Sequence, residues 1–196
     1  MTKRDQILET AFKAFTSRGI KDVKVDDIAS ELKISKKTIY EFFNGKNDLL
    51  TKCLEWKLPQ LLDRESKIIR CMPNPLTALV FCAVENIKFW SGFSDKFMEE
   101  VKEKNIMGEY GVAVRKEMSE HSSQLLDCCV SQGYLREEDS PKLIMVFMNN
   151  LSRMEQLRQP DVFPSQLCFD AVLTILSGLC TPKGRKVLDE LRENYC

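Results

Sequence analysis

A single histidine among 196 residues leaves this chain little general-base chemistry. It also lacks a Gly-rich phosphate loop, a nucleophile-elbow pattern and a paired-histidine metal motif, so the sequence does not read as an enzyme. Its eight cysteines (Cys53, Cys71, Cys82, Cys128, Cys129, Cys168, Cys180 and Cys196) form no C-x-x-C pair, and zinc-site spacing is missing; no metal or cofactor is expected. Glycine and proline are sparse, at eight and seven, as in helix-rich chains. There is no sustained period-two alternation, no hairpin dipeptide between apolar runs, and no internal repeat. The longest apolar run, Ala78–Val84, falls far short of the ~20 residues that span a bilayer, and Met1–Gln6 is polar. No membrane segment or signal peptide is therefore expected, and the expected compartment is the cytoplasm. Net charge is absent too, with 29 basic and 29 acidic residues, so any affinity for nucleic acid must come from local charge.

What is present is helical periodicity. Apolar residues make up 43% and charged residues 30%, enough for a buried core. The expected fold class is all-α: a three-helix N-terminal head on a larger helical body, with the head at residues 1–46 and the body at 47–196. Charge divides in the same sense. Residues 1–58 hold 12 Lys/Arg and 9 Asp/Glu, and the remainder holds 17 and 20.

The first helix is expected over Lys3–Arg18, capped by Thr2 with Asp5 three residues on, and stopped by Gly19 in a left-handed conformation. Ile7, Leu8, Ala11, Phe12 and Phe15 share its inner face. A short helix follows over Asp26–Leu32. Ser35 then caps a third, to about Phe42, that turns Ile39 and Phe43 inward. Asn44-Gly45 ends the head. A long helix starts near Asn47 or Asp48, and Met72–Pro75 breaks it. Further helices are expected at Leu76–Trp90, Ser94–Lys104, Glu109–Gln132, Pro141–Arg158, Ser165–Leu179 and Lys183–Asn194.

Two short helices joined by a tight turn and braced by a preceding helix form a helix-turn-helix. The second helix can enter a major groove ~12 Å wide while the first lies across the backbone. It must be apolar behind and basic, hydroxylic or aromatic in front, as Ser35-Lys36-Lys37-Thr38-Ile39-Tyr40 is. Several separate strings then match one family in order. They are Ile7-Leu8-Glu9-Thr10-Ala11 with Phe15 and Gly19, Asp27-Ile28-Ala29, the run Ile34–Phe43, and Lys46 with Asp48-Leu49-Leu50. Over residues 4–54 the chain resembles the DNA-binding region of the TetR family of transcription regulators. The resemblance implies that Lys36, Lys37, Thr38, Tyr40 and Phe42 face double-stranded DNA. Ser35 caps that helix, Thr38 and Tyr40 offer hydroxyls to phosphate, and Lys46 anchors a phosphate. Lys36 and Lys37 could reach guanine edges or phosphate only. Two positions depart from the family pattern. Lys33 stands where glycine is common, and a left-handed conformation there costs roughly 1 kcal/mol. Lys24 and Val25 replace the usual hydroxyl-bearing residues, so Lys24 is itself a candidate phosphate contact.

The resemblance also implies a repressor that acts as a homodimer and answers a small-molecule effector. Candidate effector contacts are Phe81, Phe89, Trp90, Phe93, Phe97, Met98, Tyr110, Met118 and His121, a set suited to an apolar or planar molecule. The helix at 165–179 is apolar on nearly every side and must bury two faces. One face could meet a two-fold mate. The dimer candidates are Phe147, Leu151 and Met154 with Val172, Ile175, Leu176 and Leu179. Two alternatives remain open. One is a thiol-redox or metal-responsive sensor on the same scaffold, through Cys128–Cys129, although adjacent helical cysteines point about 100° apart and do not pair easily. The other is a helical interaction protein that does not bind DNA.

Overall fold

The computed structural model describes residues 1–103, 108–137 and 165–195. Among these the helices are α1 (Lys3–Arg18), α2 (Val25–Glu31), α3 (Lys36–Tyr40), α4 (Lys46–Cys71), α5 (Pro75–Ser91), α6 (Asp95–Glu103), α7 (Gly108–Ser131), α8 (Ser165–Ser177) and α9 (Pro182–Tyr195). The fold is all-α. The only β-type pairing among the described residues is an isolated bridge between Leu135 and Cys180. None of the described helices is long and apolar enough to cross a membrane. The expected helix at 141–158 lies outside the described residues.

The chain packs as two compact units, Met1–Leu62 with Gly92–Arg115, and Asp63–Ser91 with Lys116–Cys196. In the first, α1 turns Ile7, Leu8, Ala11 and Phe15 fully inward, and Ile28 of α2, Ile39 of α3 and Leu49, Leu50 and Cys53 of α4 are buried as well, with the Cys53 thiol donating to the Leu8 carbonyl at 3.4 Å. Packing thus carries this unit past residue 46, because the first turns of α4 supply part of its core. Helix α6 adds Phe93, just before it, and Phe97. Their rings and Phe12 form a chain of edge-to-face contacts at 5.8 and 5.3 Å.

Helix α1 begins in a full capping box: the Thr2 hydroxyl accepts from the Asp5 amide at 3.2 Å, and Asp5 accepts from the Thr2 amide at 2.9 Å. It ends at Gly19, whose φ of 89° is positive as expected but whose ψ of 160° is extended, so this is not a left-handed helical cap. A second demand falls on this glycine. A Cβ there would lie 2.9 Å from the Lys96 side chain and 3.2 Å from a Glu100 oxygen. The residue thus provides both the turn and the close approach of α6.

The second unit has its own core. It is built from Leu76, Val80 and Ile87 of α5, Leu126 and Cys129 of α7, Val172, Leu173 and Leu176 of α8, and Leu188 of α9. The turn after α7 is bound to the start of α9. The Arg136 amide donates to the Leu179 carbonyl at 3.1 Å, and the Thr181 amide donates to the Tyr134 carbonyl at 3.0 Å. Gly184 sits so close to Tyr134 that a Cβ would meet its carbonyl oxygen at 2.1 Å.

Candidate functional site

The turn between α2 and α3 is set by backbone hydrogen bonds. Lys33 takes φ 54°, the left-handed conformation. Its amide donates to Ser30 at 3.1 Å, and the Ile34 amide reaches back to Ala29 at 3.0 Å. This is a Schellman motif, and it closes α2 with a lysine where glycine would be unstrained. Ser35 then caps α3, its hydroxyl accepting from the Thr38 amide at 3.0 Å and lying 2.9 Å from the Thr38 hydroxyl. At the start of α2 the Lys24 side chain makes no cap bond; only Asp27 reaches back, accepting from the Lys24 amide at 3.1 Å.

Helix α3 ends at Tyr40, two residues before the expected Phe42, because the Phe42 amide turns to the Ile39 carbonyl at 3.1 Å and tightens the last turn. Ile39 and Phe43 are buried behind it, at 1% and 2% exposure. On the opposite side Lys36, Lys37, Tyr40 and Phe42 are exposed, and Thr38 is half-buried. Lys24 is exposed as well.

Two of these cations have partners that local spacing does not reveal. The Lys36 ammonium donates to the Asp26 carboxylate at 2.6 Å, and this bond holds the lysine above its ordinary pKa. The Lys46 ammonium donates to the Lys21 carbonyl at 3.2 Å. Lys21 in turn belongs to a second cluster. The buried carboxylate of Glu100 in α6 accepts from the amides of Ile20 and, at 3.1 Å, Lys21. Lys96 bonds Asp22, and Lys21 bonds Glu103 at 3.3 Å. Thus α6 grips the segment between α1 and α2, and that segment positions Lys46. Glu100 escaped the reading of individual charges, yet a signal was there: it sits three residues after Phe97 and one before Val101, on the apolar stripe of α6.

Residues 7–53 match the bacterial regulatory proteins, tetR family. Over these residues the chain is a TetR-family helix-turn-helix region. A Bacillus subtilis helix-turn-helix-type transcriptional regulator, YuxN, is 36% identical over 76 residues, 39% of this chain; the match spans about a quarter of YuxN, 26%. The helix-turn-helix-type transcriptional repressor KstR2 of Mycolicibacterium smegmatis is 25% identical over 154 residues, covering 76% of this chain and 75% of KstR2. The solved ketosteroid transcriptional regulator KstR2 of Mycobacterium tuberculosis shares the fold, with a TM-score of 0.74 over 92% of this chain and 96% of that one, at 19% identity.

The helix-turn-helix is the part of the chain that the family match covers. The aromatic, methionine and histidine residues expected to line an effector site fall in both units. Phe93 and Phe97 belong to the core of the first unit, and Met98 is half-buried there. Phe81, Phe89, Trp90, Met118 and His121 belong to the second. Within it Phe81 packs on Phe169 and Tyr195, while Phe89 meets Trp90 edge-to-face at 5.2 Å. The side chain of Tyr110 lies outside the described residues.

His121 is neither freely exposed nor plain core. Its Nδ1 lies 3.5 Å from an Oε2 of Glu65, a carboxylate at 1% exposure whose other oxygen accepts from the Asn86 amide. Burial pushes the Glu65 carboxyl above its ordinary value, against the pull of Asn86 and His121.

The dimer candidates divide as well. Phe147, Leu151 and Met154 lie outside the described residues. Val172 and Leu176 have no exposed surface; the core of their own unit takes them up, so they have no face to offer a second copy. On α8 and just after it, Ile175 and Leu179 are half-buried, and Leu167 is 46% exposed. Among the cysteines, burial raises the Cys82 and Cys129 thiols to about 12 and Cys180 to about 11, whereas Cys71 and Cys128 are exposed.

Proposed function

We propose that this TetR-family regulator is a ligand-responsive repressor that binds a palindromic operator as a homodimer. Residues 1–46 serve as the DNA-binding domain and 47–196 as the effector and dimerisation domain. The carrying observation is α3 itself: Ile39 and Phe43 pin its back, while Lys36, Lys37 and Tyr40 stand in solvent. Lys46, Thr38 and Tyr40 suit phosphate contact, Phe42 suits apolar contact with a base or sugar, and Lys24 can add a further phosphate contact. Repression is supported by the M. smegmatis relative, which is a transcriptional repressor. One head makes few contacts, so two joined heads gain from high effective concentration. Half-sites about one helical turn apart, ~34 Å or more, are expected. Ile175, Leu179 and Leu167 are the surface that α8 and the turn after it offer to such a pairing.

Selection of bound sequences from random duplex DNA tests the head and the half-site geometry together; recovery of no palindrome overturns the dimeric part. Lys46→Ala and Tyr40→Ala should weaken binding across sequences, and Lys46→Ala should flatten the salt dependence by about one phosphate equivalent. Unchanged affinity and slope in both variants defeat the DNA reading, and a clean monomer at micromolar concentration by ultracentrifugation defeats the homodimer.

The thiol-sensor alternative has less support. Of its two cysteines, Cys129 is fully buried with its thiol held protonated, the opposite of a reactive thiolate.

A further inference from the structure

Among the basic residues of the first unit, Arg4 is held in place yet keeps its donors unspent. Its guanidinium carbon lies over the Phe43 ring, 5.6 Å from the centre. Phe43 is buried behind α3, and its ring stands 6.3 Å from that of Phe42, which is 43% exposed. Arg4 itself is exposed, in the first turn of α1. Its charge is felt at Lys52 and Cys53 of α4. The side chain thus sits where α1, α4 and the end of α3 meet. It precedes residues 7–53, which the family match covers.

No carboxylate claims it. Arg18, Lys21 and Lys36 pair with Asp27, Glu103 and Asp26, whereas Arg4 makes no ion pair among the described residues. Asp5, the next residue, accepts from the Thr2 amide at 2.9 Å. On α4, Asp48 accepts from the Asn44 amide at 2.8 Å and Glu55 from Lys52 at 2.7 Å. Stability gives little reason for an arginine at this position. A cation in the first turn opposes the helix dipole. Contact with the ring returns about as much at an exposed site. What the contact does give is order: the group rests over Phe43, and its five N–H donors remain for another acceptor.

We propose that Arg4 is a phosphate clamp at the edge of the DNA-binding surface. It grips the backbone of duplex DNA beside the groove that α3 enters, as a two-pronged donor to one phosphate. This rests on the DNA-binding reading of α3 and adds a contact outside it. The other anchor, Lys46, is held near the opposite end of α1, by the Lys21 carbonyl at 3.2 Å. From Arg4 to Arg18 the helix rises ~21 Å, more than the ~12 Å width of a major groove, so the two cations meet different phosphates. Phosphate contacts set register and orientation and do not choose bases, so Arg4 adds affinity on every sequence. An arginine that only braced Phe43 would act on stability and leave the salt dependence of binding untouched.

Fluorescence anisotropy of the full chain with the duplex recovered by selection, and with a random-sequence duplex of equal length, tests this between about 50 and 200 mM salt. Arg4→Met keeps an apolar stem over Phe43 and removes the charge. It should weaken binding to both duplexes alike, by about threefold or more per head, and flatten log K against log salt by about 0.9 per head. Its melting temperature should match that of the parent. Arg4→Lys should keep the slope and lose part of the affinity, because an ammonium lacks the two-pronged geometry. Unchanged affinity and slope in Arg4→Met, with Lys46→Ala flattened as expected, overturns the clamp and leaves the DNA-binding reading standing. Weaker binding at an unchanged slope also overturns it and makes Arg4 a brace for Phe43. A loss confined to the selected duplex does the same and makes Arg4 a reader of bases. If the parent binds neither duplex, the DNA-binding reading itself fails and the clamp with it.

Discussion

Replacing Glu100 by alanine removes the acceptor for two backbone amides at once, those of Ile20 and Lys21. Hydrogen bonds to a charged group contribute ~1.5–3 kcal/mol each, so the gross loss is roughly 3–6 kcal/mol. Two effects reduce it. The other carboxylate oxygen of Glu100 is buried without a partner, at a cost of about 1–3 kcal/mol that the substitution relieves. The Lys21 amide is only partly buried, so water can replace its bond. The Ile20 amide has no such recourse, because Ile20 is 1% exposed. The net expectation is a destabilisation of about 2 kcal/mol, equivalent to a fall in melting temperature of about 4–8 °C for a chain of this size. Glu100→Gln keeps a neutral acceptor and should lose roughly half as much. Urea unfolding followed by far-UV circular dichroism measures the energy, and amide hydrogen exchange at Ile20 and Lys21 locates it. A loss below ~0.5 kcal/mol, with exchange at Ile20 unchanged, would show that the carboxylate does not hold the turn. Operator affinity should fall in the same variant, since the turn it releases supplies the carbonyl that receives Lys46.

Lys33→Gly should stabilise the chain by up to about 1 kcal/mol in the same unfolding assay, since φ 54° strains a lysine and not a glycine; a destabilised variant refutes the strain. Burial raises the Glu65 carboxyl above its ordinary 4.5, so the folded state holds that proton more tightly than the unfolded chain does. Its contribution to stability is complete below 4.5 and is lost as pH rises through the raised value. The melting temperature of Glu65→Gln minus that of the parent should therefore climb with pH, and a pH-independent difference refutes the shift. Iodoacetamide should label Cys71 and Cys128 well before Cys53, Cys82 and Cys129, as read by peptide mass spectrometry; early labelling of Cys129 would restore the redox pair.

Local chemistry was legible in the sequence where it acts over a few residues. The Thr2–Asp5 box and the apolar face of α1 fixed the bounds Lys3–Arg18, and Ser35 fixed the start of α3. Ile39 and Phe43 turned inward because a short helix with basic and hydroxylic neighbours has one apolar side to bury. Pairings distant in sequence were not legible. Nothing in the spacing of Asp26 and Lys36, or of Ile20 and Glu100, marks them as partners; tertiary packing brings them together. Periodicity also fails on a helix that is apolar all round. It could not tell that Val172 and Leu176 face their own core while Leu167 stays outside. Nor could it tell that Phe93 and Phe97 would leave the neighbouring Phe89 and Trp90 to join another unit, a switch that falls at Gly92.

The bond between Lys36 and Asp26 has a consequence for how such a head searches a genome. A lysine already satisfied by a carboxylate at 2.6 Å gives a passing stretch of duplex little reason to linger, and the same carboxylate repels phosphate. On the reading that this surface meets DNA, Lys36 changes partner only where the duplex offers a better acceptor than Asp26. An acidic residue beside the groove-facing helix then acts as an internal competitor: it shortens residence on random sequence and leaves the ratio between operator and background larger than the bare lysine would allow.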